Sequence, residues 1–115
     1  MPHNVEYYLE RGFSQSYAEY FAAGRRKIIA VKPNDDYSIN LRFDNGECRR
    51  FDVNSLIIPG TVFEELRDKS VFNRVYLDED NVVCWDRDPS VDSRVIWSNK
   101  LDVSPDTCYV EGTAV

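Results

Sequence analysis

Residues 37–53 restrict the fold more than any other stretch. Tyr37, Ile39, Leu41 and Phe43 alternate with Ser38, Asn40 and Arg42, the period of a half-buried strand. Asp44-Asn45-Gly46 breaks the run, and a second alternating run follows from Cys48 to Val53. This is the pattern of a β-hairpin. It constrains architecture and carries no reaction.

The register follows from burial. A two-residue loop, Asn45-Gly46, would set Phe43 opposite Cys48, Leu41 opposite Arg50 and Ile39 opposite Asp52, placing charges among apolar residues. A three-residue loop, Asp44-Asn45-Gly46, with Gly46 left-handed as a bulge, sets Ile39 opposite Phe51 and Tyr37 opposite Val53. The second register gives one apolar face and one face of Ser38, Asn40, Arg42, Cys48, Arg50 and Asp52. A one-residue slip inverts a strand's faces, so the three-residue loop is predicted.

A chain of 115 residues is expected to form a single domain over 1–115, large enough for a core without metal or disulfide staples. No run approaches the roughly 18 apolar residues of a membrane span. The start of the chain lacks the basic and apolar regions of a signal peptide. Cys48, Cys84 and Cys108 form no disulfide or zinc spacing, and reduced thiols in a cytoplasm are the simplest reading.

Charge is unevenly spread. Up to Leu77 there are 11 acidic and 11 basic residues. From Asp78 onward there are nine acidic and three basic, and nine minus three accounts for the whole net charge of −6. An acidic surface repels nucleic acid phosphates and suits a basic protein partner.

Residues 4–24 read as two short helices. Asn4 caps the first, with Val5, Tyr8 and Leu9 as its stripe and Gly12 at its end. Ser16 caps the second with Glu19 completing a capping box; Tyr17, Tyr20 and Phe21 form its stripe, and Gly24 ends it. The aromatic stripes are expected to pack on the sheet. Arg25-Arg26-Lys27 reads as a charge cluster complementing the helix dipole. A DNA-reading helix pair is the alternative.

Strand 1 is expected at 27–31, covered on both faces because Ile28, Ile29, Ala30 and Val31 are all apolar. A turn at 33–36 and the hairpin follow. Thr61 to Glu64 opens a helix over 61–68 with Val62, Phe63 and Leu66 inward. Strands are expected at 71–77, 82–85 and 95–97, with a polar loop at 86–93. Ser104-Pro105 starts a helical turn, and residues from Gly112 read as a loose tail. The fold class is therefore α+β. It is a small antiparallel sheet of five to six strands carrying one short helix (61–68) and an N-terminal pair of short helices.

No catalytic constellation emerges. His3 is the only histidine, so triads and dyads lack a placed base. There is no glycine-rich phosphate loop and no zinc or iron ligand set. Asp86, Asp88, Ser90 and Asp92 alternate like calcium ligands, but Val91 and Trp97 stand where that loop needs Gly and Glu. No cofactor, metal or catalytic residue is assigned. Trp85 and Trp97 flank the acidic loop. If the strands at 82–85 and 95–97 pair, Trp85, Asp86, Asp88, Asp92 and Trp97 form an aromatic and acidic partner-binding site.

Several phrases resemble a bacterial family known only as domain-of-unknown-function family 2442. They are Ile29 to Tyr37, Leu41 to Glu47, Phe51-Asp52-Val53, Gly60 to Glu64 with Leu66, Asp68 and Phe72, and Trp97 to Asp102 with Pro105, Asp106 and Tyr109. They cover about residues 27–110; residues 4–24 and the long segment 85–93 depart from the pattern. The resemblance implies a small α+β domain with no established activity. It also implies a gene beside another small gene, as in toxin–antitoxin pairs.

The expectation is a non-enzymatic, cytoplasmic protein-binding module. Its partner would be a basic, nucleic-acid-binding protein that it neutralises as an antitoxin or inhibitor. It would not bind nucleic acid directly and would not enter a membrane. Exposed strand edges leave room for a homodimer. The rival reading is a small enzyme or small-molecule binder using carboxylates or Cys48, whose thiol lies near Arg42.

Overall fold

The computed structural model describes residues 2–115. In chain order the elements are α1 (Val5–Glu10), α2 (Gln15–Ala23), β1 (Ile28–Pro33), β2 (Ser38–Phe43) and β3 (Cys48–Asp52). They continue with α3 (Lys69–Phe72), β4 (Tyr76–Leu77), β5 (Val83–Asp86), β6 (Lys100–Val103), α4 (Pro105–Glu111) and β7 (Thr113–Ala114). Short 3-10 turns occupy Asn54–Leu56, Val62–Arg67 and Trp97–Asn99.

The hairpin has the predicted register. Ile39 pairs with Phe51 and Arg42 with Cys48. The Phe43 amide donates to the Glu47 carbonyl at 2.9 Å, closing a three-residue loop. Gly46 sits at φ 85°, a conformation that costs an L side chain energy. Ile39, Leu41, Phe43, Phe51 and Val53 are all buried. On the other face Asn40, Arg42, Cys48 and Asp52 are exposed, but Ser38 is buried, tied to Asp36 and Asn34. Tyr37 is not a strand residue. It turns the chain at φ 62°, with its hydroxyl donating to the Arg67 carbonyl at 2.6 Å and its ring against Phe72.

The strands divide between two antiparallel sheets, β1-β2-β3-β7 and β4-β5-β6. One core joins them: Ile28 and Phe43 from the first sheet, Val83, Trp85, Leu101 and Val103 from the second, Leu66 from the 3-10 segment and Phe72 from α3. Asn81 stitches the sheets, its Nδ2 donating to the Ile28 carbonyl at 3.0 Å.

Several expectations are corrected. Residues 71–77 are not one strand. Asp68 caps α3, accepting from the Ser70 amide, and only Tyr76–Leu77 pairs with β5. Val71 and Phe72 are buried from the helix instead. In the 61–68 segment Leu66 is buried, whereas Val62 is exposed. β1 is open on one face, with Ile29 and Ala30 exposed, because among the described residues no element covers the outer side of its sheet. The tail is not loose: β7 adds to β3, with Arg49 opposite Ala114 and Arg50 opposite Thr113.

Asn4 caps α1 as expected, accepting from the Tyr7 amide at 3.0 Å. The cap of α2 is Ser14 rather than Ser16, so that helix starts two residues earlier. The pair is anchored through α4. Tyr17 and Tyr20 donate their hydroxyls to Glu111 and Asp106, and the Tyr20 ring lies 5.0 Å from that of Tyr109, which in turn meets Phe43. Arg25 lies beyond the α2 end and pairs with Asp106 at 2.5 Å, so it bridges to α4 rather than complementing its own helix.

Candidate functional site

The acidic segment 86–99 is shaped by one side chain. Asn99 is only 8% exposed. Its Oδ1 accepts from the Asp88 amide at 2.9 Å, and its Nδ2 donates to the carbonyls of Asp88 (3.0 Å) and Val91 (3.2 Å) and to Ser93 Oγ (3.0 Å). The Arg87 amide donates to the Asn99 carbonyl at 2.8 Å. A buried amide with every group matched fixes loop backbone that would otherwise be solvated. Asp92 continues the work, its carbonyl accepting from the amides of Val95 and Ile96.

Beside this loop lies a cleft of about 560 Å³ between β4, β5 and residues 89–94. Asp86 is at its wall, with Oδ1 accepting from the Tyr76 hydroxyl at 2.8 Å and from Ser93 Oγ at 2.5 Å. Burial and that bond to Asp86 push the Tyr76 phenol well above its ordinary range. Asp78 accepts from Lys100 Nζ at 2.8 Å and from the amides of Asp80 and Val82. Burial alone would raise the Asp78 carboxyl. The Lys100 ammonium and the two amides outweigh it and hold the group below the carboxylate range. Asp78, Glu79, Asp86 and Asp92 against Arg94 and Lys100 leave the cleft with a net negative charge.

The five sequence-predicted residues do not form one cluster. Trp85 is fully buried, its indole N–H donating to the Phe72 carbonyl at 3.0 Å, so it belongs to the core and offers nothing to a partner. Residues 95–97 are not a strand. β5 pairs instead with β6, Trp85 opposite Leu101. Val95 and Ile96 are exposed, and Trp97 is 81% exposed. Asp86 lines the cleft. Asp88 and Asp92 lie in the loop, each with its carboxyl lowered, by Ser90 and by Arg94 respectively. Sequence reasoning missed Asn99, Tyr76 and Ser93. A lone Asn or Ser carries no local signal of such a role.

The surfaces behind the rival readings are also defined. Glu65, Asp68 and Asp88 meet at a groove of about 400 Å³. Arg87 holds Glu65 in a two-bond fork, both contacts at 2.9 Å, and its carboxyl is lowered by that bond. Cys48 is exposed opposite Arg42; Cys84 and Cys108 are buried, and burial pushes each thiol up to about 12. Among the described residues no group of three or more His, Cys, Asp or Glu is placed to hold a metal ion, and no helix is long and apolar enough to cross a membrane.

Residues 28–114 match the model of a protein family of unknown function, DUF2442, and the chain belongs to that family. No curated protein and no solved structure matches the chain. α1 and α2 lie outside the matched region, while the acidic loop, the cleft and Asn99 lie within it.

Proposed function

We propose that this family member is a non-catalytic docking module of the cytoplasm that presents Val95, Ile96 and Trp97 to a basic partner protein. The observation that carries the reading is the exposure of Trp97 at the end of a loop held rigid by Asn99. A solvated indole costs an isolated protein apolar hydration, and tryptophan dominates binding energy where interfaces form. The same segment carries Asp88 and Asp92, and Asp92 lines the acidic cleft, so charge complementarity selects a partner with Lys and Arg around an apolar recess. A basic nucleic-acid-binding protein has that surface, and occupying it would inhibit such a protein as an antitoxin does.

The ionisation pattern is in keeping with the non-catalytic part. Among the described residues every carboxyl group with a displaced pKa is displaced downward: Asp36, Glu47, Glu65, Asp68, Asp78, Asp88 and Asp92. A carboxyl serving as a general acid would have to be raised toward neutral pH, and none of these is. Direct nucleic acid binding is disfavoured by the net charge of −6 and by the engagement of Arg25 with Asp106.

The test is capture from a lysate of the native host with the full chain and with Trp97→Ala as baits. A basic protein enriched by the wild type and lost with the variant is expected. No specific partner, or one retained equally by the variant, would contradict the reading.

A further inference from the structure

A second, independent site lies where the N-terminal helices meet the family domain. Arg49 is on the core-facing side of β3, opposite Leu41, a position at which a charged side chain needs a reason. Its guanidinium lies over the Tyr109 ring, 4.0 Å from the centroid. It donates to the Glu47 carboxylate at 3.2 Å and to the Gly112 carbonyl at 3.4 Å, while its Nε is buried with no hydrogen-bond partner. Its side chain remains 21% exposed, so part of the fork still reaches solvent.

That exposed part opens on a cleft of about 300 Å³ between α2, α4 and β3, walled by Glu19, Tyr20, Arg26, Arg49, Tyr109 and Val110. Arg26 supplies a second guanidinium. Its nearest acid, Asp44, is at 4.0 Å, and among the described residues the guanidinium makes no hydrogen bond. Arg26 thus leaves its guanidinium without a hydrogen bond among these residues, and Arg49, aligned by stacking on Tyr109, spends one N–H on Glu47 and one on Gly112. The N–H groups that remain on the two suit an oxyanion, which takes charge-assisted N–H bonds from arginine. Tyr20, Tyr109 and Val110 add an apolar wall. Glu19, held by Gln15 at 2.9 Å, is the one acid among the lining residues, and Glu47, outside the lining, pairs with Arg49.

We propose that this cleft binds a small organic oxyanion, a carboxylate or a phosphate, between Arg26 and Arg49, with its body against Tyr20 and Tyr109. Ser16, Glu19, Tyr20 and Ala23 of α2 form part of the wall, so this site is specific to chains that carry the N-terminal helices. It does not depend on the docking reading.

The test is NMR titration of the full chain at matched ionic strength with two probes, inorganic phosphate and 4-hydroxyphenylacetate. Saturable shifts at the Arg26 and Arg49 Nε–H signals and at Val110 are expected at probe concentrations up to about 10 mM. Saturation by one probe alone identifies the head group. Arg26→Gln, a change at a half-buried position outside the core, should weaken binding by about tenfold or more, the scale of one charge-assisted hydrogen bond. Arg49→Lys should do the same, because an ammonium keeps the charge and loses the fork. Absence of saturation with both probes, or unchanged affinity in Arg26→Gln, would overturn the proposal.

Discussion

Replacing Asn99 by alanine tests whether a single amide shapes the presenting loop. Four polar contacts depend on it: the Asp88 amide donates to Oδ1, and the two N–H groups of Nδ2 are shared among Asp88 O, Val91 O and Ser93 Oγ, the worth of about three full bonds. At about 1 kcal/mol net for each full bond, the loss is about 3 kcal/mol. That exceeds the roughly 0.5 kcal/mol of an ordinary surface change and is a large part of a domain's stability. Urea unfolding gives the free energy, and amide exchange of residues 87–96 reports the loop separately. Asn99→Asp sharpens the test. A carboxylate cannot donate to the two carbonyls, and it would lie near Asp86 and Asp88. It should be worse than alanine at pH 7, by about 1 kcal/mol, and recover as acid protonates it. A loss under about 1 kcal/mol with unchanged exchange in 87–96 would refute the reasoning, as would an Asp variant as stable as wild type.

Other consequences concern the frame. The lowered carboxyl of Asp78 adds stability above pH about 4 that is lost as acid protonates it. The Lys100 ammonium, raised by the same bond, adds stability below pH about 10 that is lost in stronger alkali. Lys100→Met should therefore flatten both limbs of the stability–pH curve measured by urea unfolding. Cys84 and Cys108 stay protonated in the folded state, whereas unfolded thiols ionise from pH about 8.5, so stability falls above that pH by up to about 1.4 kcal/mol per unit for each thiol. A thiol reagent such as DTNB should label Cys48 at once and the other two only at the unfolding rate. Gly112→Ala would drive a Cβ into the Cys108 carbonyl, and the clash where α4 hands over to β7 should cost about 1–3 kcal/mol in thermal melts.

What was legible in the sequence is what local physics decides. The hairpin register followed from alternation and one glycine, and the Asn4 cap and the Pro105 start of α4 followed from end chemistry. The family resemblance proved correct. The two-sheet division was not legible, because β4 has two residues and β6 four, too short for a period to show. Val71 and Phe72 read as strand, yet a short apolar run fits a buried helical turn equally well, and the Asp68 cap decides it. Val95 to Trp97 has strand composition, but the Asp92 carbonyl captures its amides, and the partner place on β5 is taken by β6. The two tryptophans share a residue type and an acidic neighbourhood; only tertiary pairing separates the buried one from the exposed one.

The docking account is tested most directly by the affinity of the captured partner for the wild type, Trp97→Ala and Trp97→Phe, measured by calorimetry at two salt concentrations. A buried indole anchor predicts a loss of about 2–4 kcal/mol for alanine, roughly 30-fold to 1,000-fold in Kd, a smaller loss for phenylalanine, and weaker wild-type binding at high salt. Equal affinities across the three proteins, with no salt dependence, would contradict it.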